Sequence, residues 1–129
     1  MAEQTHEEEP ERPRRCLVIE DHVDAAESLA LLLQLIGHEV EVAFDAVQGL
    51  EAARRFRPEV VLCDIGLPGA MDGYAAAREL RADPELRAVY LVALTGYGQE
   101  EDRRKALEAG FDSHLTKPAD LDELRRLLA

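Results

Sequence analysis

The chain has 129 residues, of which 47% are hydrophobic and 33% are charged, and its formal net charge is −12 at pH 7. This length fits one domain that buries enough surface to fold without disulfides or structural metals. The negative charge argues against non-specific nucleic-acid binding, which requires a basic face. No apolar run approaches the ~18 residues of a membrane span, so we expect a cytoplasmic protein that contacts neither nucleic acid nor membrane.

The amino-terminal segment, MAEQTHEEEPERP, holds many glutamates and almost no apolar side chains. Such a segment cannot bury enough surface to offset the entropy lost on ordering. We therefore predict a disordered acidic tail over residues 1–13 and one folded domain over residues 14–129. Cys16 and Cys63 both fall in apolar runs, and we expect them to be buried free thiols.

The rest of the chain alternates between short apolar runs and helical periodicities. A first strand is predicted over 16–19, followed by a helix that Asp21 or Asp24 caps and that Gly37 ends. A second strand over 39–44 leads into a helix over 45–56, in which Val47 and Leu50 are expected to face inward. The remaining predicted elements are strand 60–63, helix 73–81, strand 89–94, helix 100–109, strand 113–116 and helix 121–128.

This five-fold alternation predicts an α/β fold with a parallel sheet and helices on both faces. In a parallel sheet all carboxyl ends lie at one edge, where open α/β sheets bind their ligands. Polar residues follow four of the predicted strands at that edge. They are Glu20 and Asp21 after the first strand, Asp64 after the third, Thr95 after the fourth and Lys117 after the fifth.

These groups suit the chemistry of a phosphoryl group. Clustered carboxylates repel one another unless a cation is bound, and oxygen ligands favour Mg²⁺ or Mn²⁺. The sequence shows no His/Cys cluster of the kind that holds zinc. Asp64 would act as the nucleophile, Lys117 as a cation and Thr95 as a hydroxyl donor, while glycines such as Gly66 let backbone N–H groups approach closely.

Each residue alone has a simpler interpretation. An aspartate before a glycine turn is usually a turn former, and an acid pair after a strand usually stabilises a helix N-terminus. Their joint placement at successive strand ends favours a functional site over these separate structural roles. A phosphohydrolase of the aspartyl type commonly carries a second aspartate two residues after the first, where this chain has Gly66. No G-x-G-x-x-G motif follows the first strand, and we predict that the protein is not an enzyme.

The chain resembles the response-regulator receiver domain of two-component signalling, over residues 14–129. The motifs that carry the resemblance are VIED (18–21), VVLCDIGLPG (60–69), MDGY (71–74), LTGYG (94–98) and LTKP (115–118). They are similar to those of receivers attached to hybrid sensor kinases. The chain ends with the last predicted helix, and we expect a single-domain receiver with no output domain attached.

The resemblance implies a doubly wound, flavodoxin-like fold with strand order 2-1-3-4-5. It implies that Asp64 accepts a phosphoryl group from a phosphohistidine of a sensor kinase or phosphotransfer protein, and that a further, unidentified protein reads the switch. Mg²⁺ would be bound by Asp21, Asp64 and the Gly66 carbonyl, and by Glu20 through water. Thr95 and Lys117 would contact the phosphoryl oxygens, and the peptide bond from Lys117 to Pro118 would be cis. The alternative is a non-phosphorylated adaptor or a phosphate sink with the same fold.

Three positions depart from the family pattern. Both Ala70 and Met71 stand between Gly69 and the aspartate of the DG pair, where one residue is usual. We expect a local bulge there that leaves the metal ligands in place. His114 replaces the tyrosine or phenylalanine that often precedes the lysine by three positions, and we expect it to be a structural histidine. Glu20 stands where aspartate is commoner, a change that an outer-sphere role tolerates.

Overall fold

The computed structural model describes residues 12–96 and 100–129. Residues 1–11, which make up most of the predicted acidic tail, lie outside the described residues, as do residues 97–99, which include the last two residues of the LTGYG motif. Among the residues described, no helix is long and apolar enough to cross a bilayer. Cys16 and Cys63 are buried free thiols, as predicted.

The described residues alternate strand and helix from end to end. The strands are β1 (Arg15–Ile19), β2 (Glu39–Ala43), β3 (Val60–Asp64), β4 (Tyr90–Thr95) and β5 (Ser113–Thr116). The helices are α1 (Val23–Ile36), α2 (Ala46–Phe56), α3 (Gly73–Ala82), α4 (Glu100–Ala109) and α5 (Leu121–Leu128). The predicted elements are all present, with ends that differ by at most two residues.

The five strands form one parallel sheet in the order β2-β1-β3-β4-β5, which confirms the predicted topology. The register aligns Ile19 of β1 with Cys63 of β3, Asp64 with Leu94 of β4, and Thr95 with Thr116 of β5. The strand ends are therefore nearly level, and the residues that follow them share one edge of the sheet.

Each face of the sheet carries its own hydrophobic core. One core packs α2, α3 and α4 against side chains such as Leu17, Val61 and Leu91. The other packs α1 and α5 against side chains such as Val18 and Leu62. Strands β1, β3 and β4 contribute to both cores, as expected for central strands of a parallel sheet that is covered on both faces.

Two details differ from the sequence-based expectations. The N-cap of α1 is His22, without a side-chain cap bond, so the predicted caps Asp21 and Asp24 are wrong. Val47 is 57% exposed, whereas Leu50 is buried as predicted. The reason is that α2 lies so close to β1 that a Cβ on Gly49 would meet Cδ1 of Ile19 at 2.5 Å. The buried stripe of α2 therefore centres on Gly49 and turns Val47 outward.

Candidate functional site

Asp64 is the last residue of β3 and lies at the centre of the edge where the strands end. Its side chain is nearly buried. Oδ1 accepts a hydrogen bond from the Gly66 amide at 3.0 Å, and Oδ2 lies 3.3 Å from Nζ of Lys117. Burial raises the pKa of Asp64, helped by the Glu20 charge and only partly offset by Gly66 and Lys117. The carboxylate is thus oriented, poorly solvated and short of positive charge.

Glu20 and Lys117 form an ion pair between residues 97 positions apart in the chain. Oε1 of Glu20 lies 3.1 Å from Nζ of Lys117, and the glutamate is only 1% exposed. Burial by itself would raise the pKa of Glu20, but hydrogen bonds from the His22 amide and Lys117 outweigh it and the pKa is lowered. Burial likewise opposes the charge of Lys117, yet Glu20 and Asp64 together raise its pKa.

The ammonium of Lys117 therefore bridges two carboxylates. Its side chain remains 31% exposed, so it reaches the site from the solvent side. A mobile cation that already contacts the Asp64 carboxylate is well placed to neutralise charge added to that carboxylate. The adjoining peptide bond to Pro118 is cis, as the resemblance implied.

His22 was not recognised as a site residue in the sequence. Its backbone N–H donates to Oε2 of Glu20 at 3.1 Å, and its ring Nδ1 lies 3.3 Å from the same oxygen. Nδ1 also lies 3.8 Å from Oδ1 of Asp21, whose side chain is 29% exposed. Ligand atoms of Glu20, Asp21 and His22 all lie within 4.8 Å of one another. The signal in the sequence was the position of His22 directly after the acid pair.

Thr95 is buried at the end of β4, but its hydroxyl is engaged elsewhere. Oγ1 donates to the carbonyl of Leu115 on β5 at 3.4 Å, and the Thr95 carbonyl accepts from the Lys117 amide at 2.7 Å. In this structure the Thr95 hydroxyl therefore links β4 to β5. A contact with a group on Asp64 would require Thr95 to exchange that partner.

The loop after β3 carries the extra residue in an exposed turn. Residues 68–70 are exposed and Gly69 has φ +98, while Leu67 is buried and Met71 packs partly against the core. The hydrogen bond from Gly66 to Asp64 is retained beside this turn.

Gly73, the first residue of α3, lies against the backbone of Asp64. A Cβ at position 73 would collide with the Asp64 carbonyl oxygen and would lie 2.6 Å from Cα of Ile65. The Gly73 amide also donates to the Ile65 carbonyl at 3.3 Å. The glycine of the DG pair therefore allows α3 to approach the end of β3.

The donor set fits a hard divalent cation. Glu20, Asp21 and Asp64 supply three carboxylates, of which Lys117 contacts two, and the site keeps an excess of negative charge. Oxygen ligands of this kind, with Asp21 partly open to water, are those that Mg²⁺ prefers.

A cleft of about 570 Å³ opens beside the site, between α1 and the loop after β5. Glu20 and Lys117 line its inner end, and Leu29, Leu32 and Ala119 line its walls. Next to it on α1, the side chains of Leu31 and Leu35 are 57% and 68% exposed. Apolar surface beside a polar site is typical of a surface that a protein partner covers.

Comparisons with known proteins agree with this geometry. The family model of the response regulator receiver domain matches residues 16–129. Protein PilH of Pseudomonas aeruginosa is 33% identical over 114 residues, which cover 88% of this chain and 93% of PilH. The chain spans about half the length of other curated relatives, such as the DNA-binding response regulator MtrA of Mycobacterium tuberculosis, which is 39% identical and of which it covers 47%.

Among solved structures, the receiver domain of the sensor histidine kinase PA1611 from Pseudomonas aeruginosa superimposes with a TM-score of 0.81. It is 34% identical, and the match covers 91% of this chain and 95% of that domain. That structure has a magnesium ion coordinated in its active-site cleft.

Proposed function

The chain belongs to the response-regulator receiver family, and from that premise we propose that it is a phosphoacceptor switch whose acceptor is Asp64. The observation that carries the proposal is the position of Lys117, whose Nζ contacts both Asp64 and Glu20. A carboxylate at the end of a central strand, with a cation on one oxygen and a backbone N–H on the other, is equipped to receive a phosphoryl group.

In the proposed reaction, a carboxylate oxygen of Asp64 attacks the phosphorus of a phosphohistidine on a sensor kinase or phosphotransfer protein. The O–P bond forms as the N–P bond breaks, and the electron pair of that bond returns to the imidazole of the donor. Lys117 and backbone N–H groups such as that of Gly66 neutralise charge on the phosphoryl oxygens. Because the acceptor is a side chain of the protein, the chain turns over no external substrate.

Asp21 and Asp64 would hold Mg²⁺, or Mn²⁺, with the Gly66 carbonyl as a further ligand and Glu20 acting through water. The bound ion would screen the acidic residues from the incoming phosphoryl group. Glu20 keeps Lys117 beside Asp64 through their 3.1 Å contact. Thr95 would leave Leu115 for a phosphoryl oxygen, and this exchange would link Asp64 to the β4–β5 edge.

The apolar surface beside the site suits a protein as the phosphodonor. The apolar cleft between α1 and the loop after β5 adjoins Lys117, and the exposed Leu31 and Leu35 extend it. A helix that carries a phosphohistidine could cover this apolar surface while its imidazole reaches Asp64. A net charge of −12 disfavours nucleic acid as the partner, and free thiols fit the reducing cytoplasm.

Labelling with acetyl phosphate tests the proposal. In Mg²⁺ the full chain should gain one acid-labile phosphoryl group by intact mass, and chelator should abolish the gain. Asp64→Asn should not label. Asp45→Asn is the matched control, because Asp45 caps α2 at the same edge of the sheet and asparagine is an equally good N-cap.

Labelling of Asp64→Asn at the parent rate would show that the acceptor lies elsewhere. Labelling that persists in chelator would contradict the metal role. A chain that never labels, although folded, would be a non-phosphorylated adaptor. If the chain labels but binds partners equally well in both states, it would be a phosphate sink.

A further inference from the structure

A groove of about 370 Å³ opens at the amino-terminal edge of the sheet, at the opposite end of the strands from the candidate site. Its walls are the first residues of β3 and β4, Val60 and Tyr90, and the last turn of α5, with Leu127 and Leu128. Arg14, directly before β1, also lines it. Tyr90 and Leu127 are only half-buried, so the groove combines accessible apolar walls with a cation.

The guanidinium of Arg14 connects this groove to α5. Nε donates to the Leu128 carbonyl at 2.8 Å, and Nη2 donates to a main-chain oxygen of Ala129 at 3.3 Å. A guanidinium has more N–H donors than these two bonds use, so Arg14 can bind a further acceptor. Arg125 and Arg126 lie in the last turn of α5 and are exposed. The end of α5 therefore holds three arginines.

The arginines at the end of α5 differ from those near the end of α2. The latter already contact acids, in the pairs Arg54 with Asp83, Arg55 with Glu41, and Arg57 with Glu85. By contrast, no carboxylate in the described part of the chain forms an ion pair with Arg125 or Arg126. The last turn of α5 thus offers its positive charge to an anionic ligand from elsewhere.

The amino-terminal segment joins the domain beside this groove. Arg12, the first described residue, contacts Glu59, which directly precedes Val60. Residues 1–11 contain no lysine or arginine, and their acids are Glu3, Glu7, Glu8, Glu9 and Glu11. An extended segment of this length spans about 36 Å, whereas the eight residues of α5 span about 12 Å. The segment is therefore long enough to cross the groove and carries the opposite charge.

We propose that residues 1–11 dock in this groove as an acidic ligand from the same chain, with their glutamates beside Arg14, Arg125 and Arg126. Such a composition does not build a fold of its own, so the groove supplies the surface on which the segment lies. The attachment at Arg12 gives the segment an effective concentration on the order of millimolar. A contact that would be weak between separate molecules is therefore populated within one chain.

The docked segment would cover the last turn of α5 and exclude acidic segments of other proteins from it. The binding step is independent of phosphoryl transfer, because the groove lies at the opposite edge of the sheet from Asp64. Added salt should release the segment, since the Debye length falls to about 3 Å at 1 M ionic strength.

A nitroxide on the segment of the full chain tests this docking by NMR. Gln4→Cys supplies a reactive thiol, because Cys16 and Cys63 are buried. At low salt we expect amide signals of Tyr90 and Leu127 to broaden several-fold more than those of Glu39 and Phe56. The latter two lie on the other side of Arg15, which pairs with Glu39 in the sheet and bonds to the Phe56 carbonyl. A tethered segment that does not dock would broaden both sides alike.

Two sets of substitutions in the labelled chain should remove this asymmetry. One combines Glu7→Gln, Glu8→Gln and Glu9→Gln, and the other combines Arg125→Gln and Arg126→Gln. The matched control combines Arg103→Gln and Arg104→Gln, an exposed arginine pair on α4, which packs on the other face of the sheet. This control should keep the asymmetry and its loss in about 1 M salt.

Equal broadening on both sides at low salt would overturn the inference. An asymmetry that survives the three glutamate substitutions, or that the α4 control also removes, would overturn it as well. A mixture of nitroxide-labelled chain with isotope-labelled chain that carries no nitroxide tests the remaining occupant. Broadening of Tyr90 and Leu127 in that mixture would show that the segment of a second copy fills the groove, which contradicts docking within one chain.

Discussion

Replacement of Gly73 by alanine should destabilise the chain and impair the site, although alanine is the better helix former. An added Cβ would collide with the carbonyl oxygen of Asp64 and lie 3.0 Å from its carbonyl carbon. It would also lie 2.6 Å from Cα of Ile65. These are backbone atoms at the end of β3, so rotation of a side chain cannot relieve the clash. Either α3 or the segment that carries Asp64 must move.

The expected change in the free energy of unfolding is the difference between two opposing effects, a gain in helix propensity and a cost of overpacking. Glycine to alanine in a helix gains at most about 1 kcal/mol, and less at the first helical position. Overpacking of a well-packed region costs about 1–3 kcal/mol, and rigid backbone places this case at the upper end. We therefore expect the free energy of unfolding to fall by about 2–3 kcal/mol.

Gly49→Ala is the matched comparison. An added Cβ at this position would also be crowded, at 2.5 Å from Cδ1 and 2.9 Å from Cγ1 of Ile19. The neighbour here is the end of a side chain that can change rotamer, and Gly49 lies within α2, where the gain in helix propensity is larger. We expect a smaller loss of stability than for Gly73→Ala.

Urea denaturation of both variants measures the stability change, and labelling with acetyl phosphate measures the site. Gly73→Ala should label more slowly than the parent because the backbone of Asp64 is displaced, whereas Gly49→Ala should label at the parent rate. If Gly73→Ala unfolds at the same urea concentration as the parent and labels equally fast, close backbone approach is not why glycine stands there.

Three further predictions concern charge. Because burial raises the pKa of Asp64, the folded chain binds a proton on this carboxyl more tightly than the unfolded chain, and the fold loses stability as pH rises above about 4. Asp64→Asn should therefore be more stable than the parent at about pH 7 in chelator. Urea denaturation measures this gain, which should be absent near pH 3. Lys117→Met removes the cation from Asp64 and Glu20, so labelling by acetyl phosphate, followed by intact mass, should slow on the order of 100-fold. A rate like that of the parent would contradict the proposed role of Lys117. Arg81 donates hydrogen bonds to three backbone carbonyls and to Asp112. Arg81→Ala should therefore lower the free energy of unfolding in urea by about 2–4 kcal/mol, whereas Arg78→Ala, at an exposed position, should change it by less than about 0.5 kcal/mol. Equal effects of the two substitutions would contradict this account.

Much of the fold of this protein follows from local patterns of apolar and polar residues in the sequence. The apolar runs that became β1, β3 and β4 are buried on both faces of the sheet, so their sequences are continuous rather than alternating. Strand and helix alternate with short connections, and right-handed crossovers leave few topologies for such a chain. Asp64, Glu20 and Lys117 could be placed at one edge because every strand of a parallel sheet ends there.

Contacts between distant residues required the tertiary structure. The bridge from Lys117 to Glu20 and Asp64 depends on the register of β5 against β4, which periodicity does not contain. The hydrogen bond from the Thr95 hydroxyl to the Leu115 carbonyl depends on the same register, because a buried hydroxyl takes an acceptor that the fold places beside it. The contact of Thr95 with phosphoryl oxygens stays a prediction.

The sequence by itself determined the fold class, the edge of the sheet that holds the candidate site and the acids that lie there, because those depend on periodicity and order along the chain. Only the tertiary structure decided that His22 turns its ring nitrogen to Glu20 and that Gly73 lies against the backbone of Asp64. The first depends on side-chain conformations within the connection from β1 to α1, and the second on a distance of a few ångströms between α3 and the end of β3. Such distances arise from packing rather than from any local preference of the residues.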